Sequence, residues 1–233
     1  MDGGPTADQR SDCAFLRALH RRDAVTMITI PSSRRNVIRL LILAGTAVLF
    51  AGILLFVYSR VLVRNAQAFL DDLKSLRVGK SSFAEVKHVS EVYPDVWKKA
   101  DCKPNQDCAL DFAIENTWLH RLRLVPWTKF QGTLYIRDGT LTRMGIILAA
   151  NTGNFGFAAV VVETPSDIQD QKSYVIRHRR NQRGLPENVS IYLTPTSTAT
   201  ERQLAYSFNL TCLARFGGCK DSSELLPSAW SGT

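Results

Sequence analysis

Nineteen consecutive residues without a charge or a proline, "LLILAGTAVLFAGILLFVY" from Leu40 to Tyr58, limit what this chain can become more than any other stretch. As a helix rising about 1.5 Å per residue, the run reaches roughly 28 Å, close to the hydrocarbon thickness of a bilayer. It is apolar all round, so it has no polar face to turn toward water. Arg34, Arg35 and Arg39 precede it; Arg60 and Arg64 follow it. The run therefore predicts a transmembrane helix and an integral membrane protein with one span. The short basic segment ahead of it has the form of a signal-anchor n-region, which predicts a cytoplasmic N-terminus and a C-terminal portion outside the cytoplasm. "AQA" at 66–68 has the form of a cleavage site, yet two arginines separate it from the run, and an uncleaved anchor is expected. Met27 is an alternative start, because "MITIPSSRRNVIR" alone makes an n-region.

The net charge of +8 suggests a polyanion partner until it is divided along the chain. Residues 1–39 contribute +3, Arg60 and Arg64 contribute +2, and residues 65–233 only +3. A domain of that size with so small an excess has no field for a polyanion, so no nucleic-acid partner is expected. The expected organisation is a disordered basic cytoplasmic tail over 1–39, the span over 40–58, a juxtamembrane helix over 59–77, an extracytoplasmic α+β domain over 78–226 and a tail over 227–233. The location that follows is the inner or plasma membrane, with the domain periplasmic or extracellular.

Cys13 precedes the span, and the other four cysteines follow it as two local couples, Cys102 with Cys108 and Cys212 with Cys219. Outside the cytoplasm disulfides are the default. The spacings C-x5-C and C-x6-C fit zinc knuckles poorly, and a redox C-x-x-C is absent. Two local disulfides are expected, 102–108 and 212–219. The crossed pairings stay open, since proximity is the only argument against them.

After the span, Leu62, Ala66, Phe69, Leu73 and Leu76 recur at spacings of 4, 3, 4 and 3, one stripe of a helix that docks on the domain or pairs two copies. Gly79 is expected to end that helix at C′. Ser82 and Glu85 have capping-box spacing, opening a second helix from about Phe83 to Val92. "GKSS" at 79–82 is not a phosphate loop: Lys74 occupies the place of the first glycine. Strands are predicted in "CALDFAIEN", in "KFQGTLYIRDGTLTRMGIIL" with a two-residue turn at Asp138-Gly139, in "FGFAAVVVE", "SYVIRHRR" and "NVSIYL", and in "QLAYSFNLTCL". For the last of these a helix from Thr200 is the competing reading. The turn would set Ile136 opposite Leu141 and Tyr135 opposite Thr142. "SSELLP" makes a short terminal helix. The fold class expected is α+β: an N-terminal transmembrane helix, two helices packed on an antiparallel sheet of about five to seven strands, and a short C-terminal helix.

"LRVGKSSFAEVKHVSEVYP", residues 76–94, resembles the opening of the SmpA/BamE lipoprotein family, with Gly79, Ser81 or Ser82, Glu85, Val86 and Pro94 at the matching positions. The resemblance implies a two-helix, three-strand layout to about residue 150 and a scaffolding or protein-binding role in the envelope. There is no lipidation cysteine after the apolar run, and about 80 residues follow the matching layout, so a role in outer-membrane assembly does not carry over. As a whole the chain resembles uncharacterised bacterial single-pass membrane proteins.

His88, His120 and His178 are scattered, and no H-E-x-x-H, G-x-S-x-G or D-x-D-x-D-G occurs. The sequence thus predicts no catalytic residue, metal site or cofactor. Two surfaces are candidates for binding. "RHRRNQR" gathers Arg177, Arg179, Arg180 and Arg183, either the solvated end of a hairpin or a contact for anionic lipid or an acidic partner. "TWLHRLRLVPW" brackets Arg121 and Arg123 with Trp118 and Trp127, either core aromatics with exposed charge or the rim of a groove. The function expected is a membrane-anchored binding or scaffold domain that recognises another envelope protein. The alternatives are a small-ligand or lipid binder using the sheet face, and an unrecognised hydrolase. The oligomeric state is left open.

Overall fold

The computed structural model describes residues 32–98, 102–103, 106–151, 156–165 and 174–231. Cys13 and the first 31 residues of the expected tail lie outside them. The chain divides into two units, Met1–Gly52 and Ile53–Thr233.

Helix α1 (Ser32–Ser75) joins the expected span and the juxtamembrane helix in one rod; it begins inside the stretch expected as tail and ends two residues before 77. It is long and apolar enough to cross a membrane, and nothing covers its most apolar window. Leu40, Leu43, Phe50 and Phe56 stand 60–66% exposed. So much bare apolar side chain on every face is what a hydrocarbon surrounding stabilises and water does not.

The second unit holds a six-stranded sheet. Its strands are β1 (Cys108–Glu115), β2 (Trp127–Arg137), β3 (Thr140–Asn151), β4 (Gly156–Glu163), β5 (Tyr174–Arg180) and β6 (Pro186–Leu193), in the order β1-β2-β3-β4-β6-β5. The fold is α+β as expected, with one correction: the sheet is mixed, because β6 lies parallel to β4. Composition explains the order. Val189, Ile191 and Leu193 of β6 are buried and suit an interior place, whereas Arg177, Arg179 and Arg180 make β5 an edge strand. The β5–β6 hairpin therefore docks through its second strand.

The turn at Asp138-Gly139 forms as the dipeptide requires, with φ of 50° and 69°. Ile136 pairs with Leu141 as expected, but Tyr135 pairs with Arg143, because a bulge between Tyr135 and Ile136 shifts the register. Across β1 and β2, Phe112 faces Gly132, where a Cβ would lie 2.5 Å from the Phe112 ring. The bare glycine is the space the ring needs.

Helix α2 (Phe83–Val92) carries the complete capping box: the Ser82 hydroxyl accepts from the Glu85 N–H, and the Glu85 carboxylate accepts from the Ser82 N–H. Gly79 does not cap α1, which ends four residues earlier at Ser75. Instead Gly79, with φ of 76°, turns so that its N–H donates to the Leu141 carbonyl at 2.7 Å. The expected strand over "QLAYSFNLTCL" is overturned. Ala199–Ala205 is a helix, with a capping box between Thr198 and Glu201, and Leu210–Leu213 is a 3-10 turn. We number the helices after α2 as α3 (Thr117–Arg121), α4 (Ala199–Ala205) and α5 (Ser222–Leu225). Tyr206, Phe208, Leu210 and Cys212 are all buried. Their alternation records an irregular segment lying over the core, not a pleat.

One face of the sheet is sealed. Ala66, Phe69, Leu70 and Leu73 of α1, Val86 and Val89 of α2, and Tyr206, Phe208, Leu213 and Leu225 pack with Leu134, Ile146 and Leu148 in a single core. Ala229 is buried and Trp230 packs against the same core, so the packed chain continues past 226.

Candidate functional site

Strand parity puts a different set of residues on the other face. Asp111 from β1, Thr133 and Tyr135 from β2, Arg143 and Ile147 from β3, and Val160 and Val162 from β4 line an open groove of about 320 Å³. Its floor is apolar, and it is bare at Gly145. Its walls are polar: the Thr133 hydroxyl donates to Asp111 Oδ1 at 2.5 Å, and the Arg143 guanidinium lies 5.7 Å from the Tyr135 ring. A second hollow of about 610 Å³ shares Tyr135 and Arg143 and runs toward Arg137 and Pro165.

The period of two divides the expected "RHRR" patch. Arg177 and Arg179 pair with Ser190 and Asn188 on the open face. There Arg177 lies 5.1 Å from the Tyr192 ring, and Arg179 bonds Glu187 at 3.2 Å. His178 and Arg180 point to the other side, the first 4.3 Å and the second 5.1 Å from Trp230. The Arg180 guanidinium also donates to the Gly184 carbonyl, and Arg183 sits in the connecting turn. Of four arginines close in sequence, two thus lie on the open face, one on the other side and one in the turn.

The second expected cluster is also split. Trp127 is half-buried at the start of β2, but Trp118 on α3 stands 61% exposed, with Arg121 at 5.7 Å from its ring. Arg123 is exposed, with φ of 57°.

Cys102 pairs with Cys108 and Cys212 with Cys219, with Cα separations of 5.8 and 5.3 Å. Cys212 and Cys219 lie in the core. Replacing both by Ala should lower stability by about 2.5 kcal/mol, the loop-closure effect of an eight-residue loop. A urea midpoint equal to the parent's would show that the staple is redundant.

Sequence reasoning missed a buried ionic cluster. Glu163 is 1% and Arg202 5% exposed, and the two are ion-paired. The Tyr206 hydroxyl donates to Glu163 at 3.0 Å, and Arg202 donates to the Leu76 carbonyl at 3.1 Å. Burial, then the Glu163 charge, holds the Tyr206 hydroxyl well above its usual pKa. A signal was present: Phe157, Ala159, Val161 and Glu163 share the buried parity of β4. His88 and His120 are exposed, and among the described residues no three His, Cys, Asp or Glu side chains are grouped to hold a metal. Compared with protein-family models, curated proteins and solved structures, the chain matches none.

Proposed function

We propose that this is a single-pass, N-in anchored protein whose domain lies outside the cytoplasm and binds a protein partner of the cell envelope across the open face of its sheet. The bare apolar surface of α1 supports the anchor, and two disulfides support an oxidising compartment. One observation carries the binding role. The sheet is sealed on one side by a filled core, while its other side offers an open, shallow groove with an apolar floor and charged walls. Such a surface suits a protein or extended peptide better than an enclosed small molecule. The larger hollow beside Tyr135 and Arg143 supports a second reading, a small-ligand or lipid binder on the same face.

A photo-crosslinking residue placed at Tyr135 or Ile147 in intact membranes should give a discrete protein adduct. The same residue at His88, on α2, should give none. Adducts at both places, or at neither, would remove the open face as the binding surface. Topology has its own test. A membrane-impermeant maleimide on intact cells should label no cysteine of the domain until a reductant is added. Cys102 and Cys108, half-buried, should then react before Cys212 and Cys219. Labelling without reduction would contradict the disulfides, and no labelling after reduction would contradict an extracytoplasmic domain.

A further inference from the structure

The second unit carries a cluster of exposed apolar side chains that neither the core nor the open face uses. Phe216 is 77% exposed, Trp118 61% and Leu122 52%. Trp118 and Leu122 are four residues apart on and just after α3, so they share its outer side, while Leu119 between them is buried. Phe216 sits in the loop closed by Cys212 and Cys219. That loop abuts the segment after α3: the Gly217 N–H donates to the Leu124 carbonyl at 3.5 Å, and a Cβ on Gly218 would lie 2.7 Å from Pro126. The staple thus holds a bare phenylalanine at the same end of the domain as the bare tryptophan.

That end is identifiable. Phe69 of α1 lies 4.9 Å from the Phe112 ring and 6.4 Å from Phe130. Ten residues later Gly79 bonds Leu141, the partner of Ile136. The helix therefore runs along β2 from Phe130 toward Ile136, and its earlier turns extend the opposite way, past Trp127. From Phe69 back to Arg60 is about 13 Å of helix, and from Phe130 back to Trp127 about 10 Å of strand. Arg60 and Arg64 are thus roughly level with the start of β2, where α3 and the 212–219 loop lie. The unit's first residues, the apolar Ile53–Tyr58, lie at this end.

We infer that Trp118, Leu122 and Phe216, with Arg121, Arg123, Arg60 and Arg64 around them, seat this end of the domain on the bilayer that holds α1, against anionic lipid headgroups. The inference rests on the membrane-anchored reading. Tryptophan and arginine together suit the headgroup layer, where the ring takes the acyl boundary and the guanidinium the phosphate. The exposed φ > 0 turn at Arg123 keeps its cation on the outside of this end.

The test uses the full chain reconstituted in phosphatidylcholine vesicles, with and without phosphatidylglycerol, and with brominated acyl chains as quencher. The chain has four tryptophans and none lies in the apolar run, so quenching reports the domain. Wild-type emission should be quenched more in the anionic vesicles, and less as salt rises. W118F should lose most of that quenching. F216S, which keeps Trp118 as the reporter, should weaken it while the disulfide remains. Quenching unchanged in W118F overturns the inference, as does equal quenching in neutral and anionic vesicles. Emission that depends on the protein-to-lipid ratio but not on bromolipid would mean that a second copy covers the patch, and also overturns it. Extraction of the chain by alkaline carbonate would overturn the anchor itself; retention without Trp118 quenching overturns only the seating.

Discussion

Replacing Arg202 by Ala is expected to cost about 3–5 kcal/mol of domain stability, the usual effect of removing one partner of a buried ion pair. Glu163 would be left in the core without its cationic partner, and the Leu76 carbonyl would lose its donor. Urea unfolding of the detergent-solubilised chain, followed by tryptophan fluorescence, measures it. The double replacement of Glu163 by Gln and Arg202 by Met should recover much of the loss, since no bare charge remains. A loss below about 1 kcal/mol for the single variant would mean that water reaches the pair. The same cluster predicts an alkaline transition. Tyr206 holds its proton in the folded state to a pH well above the usual 10.0. Its proton is present in both states at neutral pH, so it adds no pH dependence there. Above about pH 10 the unfolded chain releases the proton while the folded one retains it, and stability falls as pH rises. Y206F should remove that part of the alkaline slope.

Phe69 to Ala should cost a similar 3–5 kcal/mol. The side chain is fully buried, and its ring meets Tyr93, Trp97, Phe112 and Phe130 at centroid distances of 5.0, 5.7, 4.9 and 6.4 Å. It is the main pin between α1 and the sheet, so its loss should also expose residues 59–77 to protease. F56A is the control. Phe56 is 60% exposed within the apolar run, and its removal should leave the urea midpoint where it was. If the two variants behave alike, α1 is not docked through Phe69.

Several features could be read before any coordinates because they depend on near neighbours. The Leu40–Tyr58 run needs only its own length and apolarity. The Ser82–Glu85 box joins atoms three residues apart, and Asp138-Gly139 meets the φ demands of its own turn. Each cysteine couple lies within a single short loop. Period-two parity within "SYVIRHRR" already implied that its arginines divide between two faces, although their nearness in sequence suggested one patch. The short range of these effects is why they survive without a tertiary context.

Other features had no local cause. "QLAYSFNLTCL" alternates as a strand does, and the Thr198–Glu201 cap competes with that pattern; packing over the finished sheet decided for the helix. The insertion of β6 between β4 and β5 depends on which strand of a hairpin tolerates burial on both edges. The bond from Arg202 to Leu76 closes a separation of 126 residues, and no window of sequence contains both ends. The amino-acid order by itself determined the membrane-length rod, the caps, the turn and the staples, whose energies come from groups a few residues apart. Only the tertiary structure decided strand order, the buried charges and which face stays open, because those follow from surfaces that exist only once distant segments have met.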